Sequence, residues 1–189
     1  YREGRSATVS VHEQDGYRSI SVNGKIVASD DPEDLRTQYM LAHVPLLMHP
    51  APKSALVIGM GAGTTLGGIT AHDDLERVAL AEIEPAMLGA EPHFAASNGS
   101  PLSDPRMNVF LEDGRNYLKT TDHRYDVITA DPIHPWTRGS GYLYTQEYYR
   151  LAADRLTPGG IMCQWLPVAD LTPDDFKSVV ATFAAVFPN

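Results

Sequence analysis

The stretch Ala55-Leu-Val-Ile-Gly-Met-Gly-Ala-Gly-Thr64 constrains this chain more than any other. Four apolar residues, Ala55 to Ile58, have the length and character of a buried strand. Gly59, Gly61 and Gly63 then open a tight turn, and helix-compatible residues run from Thr64 to Ala71. A strand, a glycine turn and a helix place free backbone N–H groups at a helix N-terminus. That is where a nucleotide or nucleoside lies in a doubly wound sheet. Glycines also let a ligand approach the backbone, because no Cβ intervenes. The spacing is G-x-G-x-G rather than G-x-G-x-x-G, and a strand-to-helix turn with no ligand uses glycines too.

The rest of the chain fits the same architecture. Residues 7–28 alternate in the β manner, with Asn23-Gly24 as a type I′ hairpin signal, and Asp30-Asp31-Pro32 ends them. Residues 33–49 carry helical periodicity, in which Pro45 is expected to introduce a kink or a break. Strands and helices then alternate, the pattern of a parallel sheet. The strands are expected at 77–82, 107–112, 125–130 and 161–166. Helices are expected from Pro85, over 115–119, from Thr145 to Leu156 and from Thr172 to Phe187, with Pro158-Gly159-Gly160 as a turn. The predicted fold is α/β: a doubly wound, mostly parallel, Rossmann-like sheet over 32–189, with a small antiparallel β-hairpin appendage over 1–31.

Composition narrows the function classes. The length of 189 residues suits one domain with a full core. The single cysteine, Cys163, lies in an apolar run and excludes an intrachain disulfide, which suits a reducing compartment. A formal charge of −9 argues against non-specific nucleic-acid binding and suits either solubility or a cationic substrate. The seven histidines show no H-x-H or H-E-x-x-H pattern, so no metal is expected. No G-x-S-x-G elbow is present. No apolar run is long enough for a membrane span, and no signal peptide is evident. A chain that starts at Tyr1 is expected to be processed or cut from something longer.

In an open α/β sheet, ligands bind beyond the carboxyl ends of the strands. Three successive strands end there on an acid: Glu82, Asp113 and Asp131. Glu82 comes 23 positions after Gly59, and an acid about 20 residues past the glycine turn suits ribose hydroxyls. Asp113-Gly114 suits an exocyclic amine on a purine, or the N-cap of the next helix. Asp131 opens the run Asp-Pro-Ile-His-Pro-Trp136, whose prolines stiffen the backbone beside an acid and an aromatic. His134 in that run can shuttle a proton, and is equally common as a surface residue.

Taken together, these residues resemble the spermidine synthase family of aminopropyltransferases, a branch of the S-adenosylmethionine-dependent methyltransferase fold. The resemblance runs from about Gly16 to Pro188. It rests on Gly16-Tyr17 with Val22-Asn-Gly-Lys25, Gln38-Tyr-Met-Leu-Ala-His-Val-Pro45, Val57 to Gly63, Glu82-Ile-Glu84, Asp113-Gly-Arg115, Tyr125-Asp-Val-Ile128, Asp131-Pro-Ile-His-Pro135 and Tyr142 with Glu147-Tyr-Tyr149. Pro135-Trp136 and Gln164-Trp165-Leu166 look most like a bacterial branch often fused to a membrane-spanning N-terminal part. A cytoplasmic location, on its own or as the cytoplasmic part of such a fusion, is therefore implied. The resemblance implies transfer of an aminopropyl group from decarboxylated S-adenosylmethionine, a co-substrate, to a polyamine acceptor such as putrescine. It implies that Gln38, the glycine loop (Gly59, Gly61, Gly63), Glu82, Ile83, Asp113 and Gly114 hold the donor. Asp131 takes or orients the amine proton, with His134 beside it, and the family commonly forms homodimers.

Three positions depart from the family's pattern. Ala62 stands where an acid usually anchors the donor's amine, Thr37 where a tyrosine precedes Gln38, and His134 where a second loop acid is usual. A methyltransferase using S-adenosylmethionine itself, and a non-catalytic nucleoside- or polyamine-binding domain, therefore stay open as alternatives.

Overall fold

The computed structural model describes residues 1–131, 134–137 and 139–188. Strands β1 (Arg2–Glu3), β2 (Thr8–Gln14), β3 (Tyr17–Val22) and β4 (Lys25–Ser29) form an antiparallel sheet in that order. The turn at Asn23-Gly24 has positive φ at both residues, 52° and 79°, as a type I′ turn requires. Asp15-Gly16 does the same, with φ of 53° and 85°, and makes a second tight hairpin between β2 and β3.

Helix α1 (Pro32–Met48) is capped by Asp31, whose side chain accepts the Glu33 N–H. Of the kink or break expected at Pro45, the break does not occur, and the helix runs through it. Proline lacks an N–H donor but still offers a carbonyl, and the Pro45 carbonyl accepts from His49 N–H at 3.2 Å to close the last turn.

The second sheet contains β5 (Ser54–Ile58), β6 (Arg77–Ala81), β7 (Met107–Phe110), β8 (Tyr125–Ala130) and β9 (Leu156–Gln164). Its order is β7-β6-β5-β8-β9, with every pair parallel. The chain first winds from β5 to β6 and β7, then crosses to β8 and β9. The winding direction therefore reverses at β5, the strand that carries the glycine turn.

The two-residue period of a strand divides the core into two layers. On one face, Ala55, Val57, Val78, Leu80 and Val127 pack with Leu46 of α1, with Leu66 and Ile69 of α2 (Thr64–Thr70), and with Val9, Ile20 and Ala28 of the small sheet. On the other, Leu56, Ile58, Ala79 and Ile128 pack with Tyr117 and Leu118 of α5 (Gly114–Thr120) and with Tyr148, Tyr149 and Ala152 of α6 (Gln146–Asp154). Helix α7 (Pro173–Ala184) adds Phe183 to that layer, and is capped by Thr172 with Pro173 at its first turn. Uniformly apolar strands are what a sheet covered on both faces demands.

Two local expectations change. The helix expected from Pro85 breaks into α3 (Pro85–Leu88), a 3-10 turn (Glu91–Phe94) and α4 (Ala95–Asn98). Gly89 and Pro92 prevent a continuous run. Pro158-Gly159-Gly160, expected as a turn before the last strand, lies inside β9. Tyr125 pairs with Leu156 and Val127 with Ile161, so these residues bulge out of the ladder, with φ of 81° at Gly159.

Candidate active site

The sheet itself positions the site. One residue beyond four of the parallel strands, the ladder continues by a single backbone bond. Gly59 N–H donates to Ala81 O at 3.0 Å, Glu82 N–H to Phe110 O at 3.0 Å, Asp131 N–H to Ile58 O at 3.2 Å and Trp165 N–H to Ala130 O at 2.9 Å. Residues that end different strands are thereby held in register along one edge.

These ends open into a cavity of about 480 Å³. Of the expected site residues, Gly59, Gly61, Glu82, Ile83, Asp113, Gly114 and Asp131 line it, so all three strand-end acids meet in one place. Ser6, Ala7, Val22, Asn23 and Val27 of the N-terminal region close one side. A second hollow, about 540 Å³, lies between Arg2, His12, Arg18 and Ala90, away from the strand ends. The carboxylates are in the smaller one.

Gly59 has φ of 88°, and a Cβ there would come within 3.1 Å of the Asp131 carbonyl oxygen. The glycine therefore provides both a left-handed turn and close approach to the β8 terminus. At Gly114 the reason is packing alone, since a Cβ would lie 2.5 Å from Ile58 Cγ2. This lets α5 begin directly over β5.

Glu82 ties the edge together. Its carboxylate accepts Met60 N–H and Glu84 N–H, each at 2.8 Å, and burial raises its pKa. Ile83 beside it is exposed. Asp113 caps α5 by accepting Arg115 N–H at 2.8 Å, and the Arg115 guanidinium holds its carboxyl below the ordinary range. That guanidinium also lies 4.6 Å from the centre of the Tyr142 ring, on the far rim.

Glu84 is a residue to which sequence reasoning assigned no role. Its carboxylate accepts the backbone N–H groups of Arg5, Ser6, Ala7 and Ala86 and the Ser6 hydroxyl, at 2.7 to 3.0 Å. Burial alone would raise its pKa, but the N–H groups of Ala86, Ser6 and Arg5 outweigh it and bring the value down to about 2. It thus clamps residues 5–7 against the cavity. The motif Glu82-Ile-Glu84 was visible, but a contact across 78 residues with Ser6 was not.

Asp131 differs from the other three acids. Its carboxyl group lines the cavity, and among the described residues its one side-chain hydrogen bond comes from Thr65 Oγ1 at 3.3 Å. Burial, reinforced by the negative charge of Asp34, pushes its pKa up to about 7. Asp131 therefore exchanges a proton near neutrality. The stiffening expected of Pro132 lies outside the described residues.

Other expected residues stand behind the cavity wall. Gly63 caps α2 with φ of 81°. Gln38 is buried, and its Nε2 donates to Ser29 O at 3.0 Å. His134 packs 4.9 Å from the Trp136 ring and 5.3 Å from the Trp165 ring, with its Nε2 3.3 Å from Asp170. Its buried Nδ1 has no partner among the described residues.

Gln164 is a second residue that sequence reasoning passed over. Its register partner is Ala130, next to Asp131, and its buried Oε1 has no partner among the described residues. The buried hydroxyls of Tyr144, Tyr148 and Tyr149 share that condition. The signal was present: Gln164 ends β9 as Asp131 follows β8, but extending the strand to Leu166 concealed that end.

The fold and the cavity define a doubly wound α/β domain with an acidic pocket at the carboxyl edge of its parallel sheet. The chain belongs to the spermine/spermidine synthase domain family, whose model matches residues 34–189. It is 28% identical over 179 residues to a spermidine synthase of Dictyostelium discoideum, covering 95% of this chain and 63% of that protein. It is 31% identical over 142 residues to a polyamine aminopropyltransferase of Thermotoga petrophila, covering 75% of this chain and 48% of that one. A solved spermidine synthase in complex with the transition-state analogue AdoDATO superposes with a TM-score of 0.81 at 27% identity, over 96% of this chain and 66% of its own. Spermidine synthase from Thermotoga maritima superposes with a TM-score of 0.78 at 27% identity, over 96% of this chain and 65% of its own. The chain thus spans between about half and two thirds of the length of these relatives. Among the described residues, no helix is long and apolar enough to cross a membrane.

Proposed function

We propose that this chain carries out aminopropyl transfer of the spermidine synthase type, from decarboxylated S-adenosylmethionine to a polyamine acceptor such as putrescine. In this reaction a neutral amine nitrogen attacks the aminopropyl carbon bound to the sulfonium. The N–C bond forms as the C–S bond breaks, and sulfur keeps the electron pair and leaves as the neutral thioether of methylthioadenosine. The new secondary ammonium loses one proton. The leaving group needs no acid, so the protein must supply a base, alignment and negative charge for a cationic substrate.

The single observation that carries the proposal is Asp131, a carboxylate in the cavity whose pKa is pushed up to about 7. A base is most effective when its proton affinity matches the working pH. Glu82, held by two backbone N–H groups, keeps lone pairs for ribose hydroxyls. Asp113 stays ionised beside Arg115 and suits the adenine amine. Gln164 Oε1, which has no hydrogen-bond partner among the described residues and lies beside the β8 terminus, suits an acceptor ammonium.

The test is Asp131→Asn. Calorimetric titration with methylthioadenosine is expected to show binding retained, while transfer from the decarboxylated donor is lost. Transfer at the wild-type rate would remove Asp131 from the mechanism. Preference for S-adenosylmethionine over the decarboxylated donor would replace aminopropyl transfer with methyl transfer.

A further inference from the structure

We propose that Thr65 is a positioning residue whose hydroxyl sets the proton affinity of Asp131 by switching between two hydrogen-bond partners. The importance of this switch for transfer rests on Asp131 being the base. Thr65 is the second residue of α2 and is fully buried. Its Oγ1 lies 3.3 Å from Asp131 Oδ2 and 3.2 Å from the Gln38 carbonyl oxygen. A hydroxyl has one proton and two lone pairs, so it cannot donate to both at once.

The two arrangements match the two protonation states of the acid. While Asp131 is ionised, the Thr65 hydroxyl donates to the carboxylate. Once Asp131 has accepted a proton, its own O–H donates to Thr65 Oγ1, and the Thr65 proton turns to the Gln38 carbonyl. Neither state leaves a buried hydroxyl unsatisfied, and only the Thr65 proton moves. The Gln38 carbonyl is a fixed second position. It belongs to the middle of α1, and the Gln38 side chain is anchored on Ser29.

Among the described residues, the groups that face Asp131 come from every neighbouring element. They are Asp34 from α1, Thr65 from α2, Cys163 from β9, Tyr144 from the turn at 141–144 and the backbone of Gly59. None of these is a cation. Burial and Asp34 both favour the protonated acid, and Thr65 is the group that opposes them. A charge-assisted bond to the carboxylate is stronger than the neutral bond that replaces it after protonation. Removing the hydroxyl must therefore raise the proton affinity further.

The experiment follows Asp131 directly, by the carbon-13 carboxyl shift of aspartate-labelled protein across pH, with Asp131→Asn assigning the signal. In Thr65→Val, which keeps the shape and removes the hydroxyl, the midpoint is expected to rise by about one pH unit, a tenfold gain in proton affinity. In Thr65→Ser, which keeps the hydroxyl, it is expected to stay close to the wild-type value. An unmoved midpoint in the valine variant, or an equal rise in the serine variant, would overturn the switch. The pH dependence of kcat/KM is measured on the same proteins. If the carboxyl midpoints move as expected and the rate profile does not follow, Asp131 is not the base, and the switch stands without it.

Discussion

Replacing Glu84 by glutamine tests whether one carboxylate holds the loop at residues 5–7 against the cavity. The two oxygens divide five donors between them. Oε2 accepts Ser6 N–H, Ser6 Oγ–H and Ala7 N–H, while Oε1 accepts Arg5 N–H and Ala86 N–H. Glutamine has the same shape but turns one oxygen into an NH₂ group that faces N–H donors. The less damaging orientation still loses Arg5 and Ala86. Depression from the ordinary 4.5 to about 2 would correspond to roughly 3 kcal/mol if fully realised. The carboxylate lies beneath the loop at residues 5–7, where solvent screens part of this, so about 2 kcal/mol is expected at pH 7. For a domain of this size that is about 4–8 °C in Tm.

The pH sign distinguishes this from a packing defect. A carboxylate with a depressed folded pKa stabilises above its unfolded value near 4.5, and that stabilisation is lost as pH falls toward 2. The gap between wild type and Glu84→Gln should therefore narrow between pH 5 and pH 3, measured by scanning calorimetry. Ser6 and Ala7 line the cavity, so methylthioadenosine should also bind more weakly to the variant. Equal melting temperatures at pH 7, or a gap that stays constant with pH, would refute the reasoning.

If Asp131 must be ionised to act as base, kcat/KM should rise with pH through about 7, and Asp131→Asn should reduce kcat by roughly 10²–10⁴ in a steady-state transfer assay. The same substitution should stabilise the protein at pH 8. The folded pKa of Asp131 is raised above its unfolded value of 3.8, so wild type loses stability as pH rises from about 4 to 7. Removing the buried charge should return roughly 2–4 kcal/mol by urea unfolding at pH 8 and much less at pH 4. Gly114→Ala should lose about 1–3 kcal/mol by the same assay, because its Cβ would lie 2.5 Å from Ile58 Cγ2 in a close-packed layer.

Much of the scaffold is legible in the amino-acid order. The uniformly apolar strands, the glycine turn after Ile58 and the alternation of strand and helix point to a two-sided parallel sheet, because each is a local consequence of covering both faces. The acids at 82, 113 and 131 are legible as a group for the same reason: consecutive parallel strands end at one edge, so their next residues must meet there. The family resemblance drew on these positions and was correct. The Pro45 break and the Pro158 turn were misjudged because proline and glycine are read locally. A helix closed through its remaining carbonyl, or a bulge facing a neighbouring strand, depends on partners elsewhere.

The chemical differences among the acids were decided only by the tertiary structure. In the sequence, Glu82, Asp113 and Asp131 are carboxylates at strand ends, with Glu84 two residues beyond the first. In the fold, two are occupied by backbone N–H groups, one is bound by its own arginine, and Asp131 has, among the described residues, burial, a neighbouring charge and one hydroxyl 66 residues away. Local pattern determines which residues reach the edge of a sheet. Proton affinity and hydrogen-bond partners depend on what lies within a few ångströms of each carboxyl, and that is settled when distant segments pack.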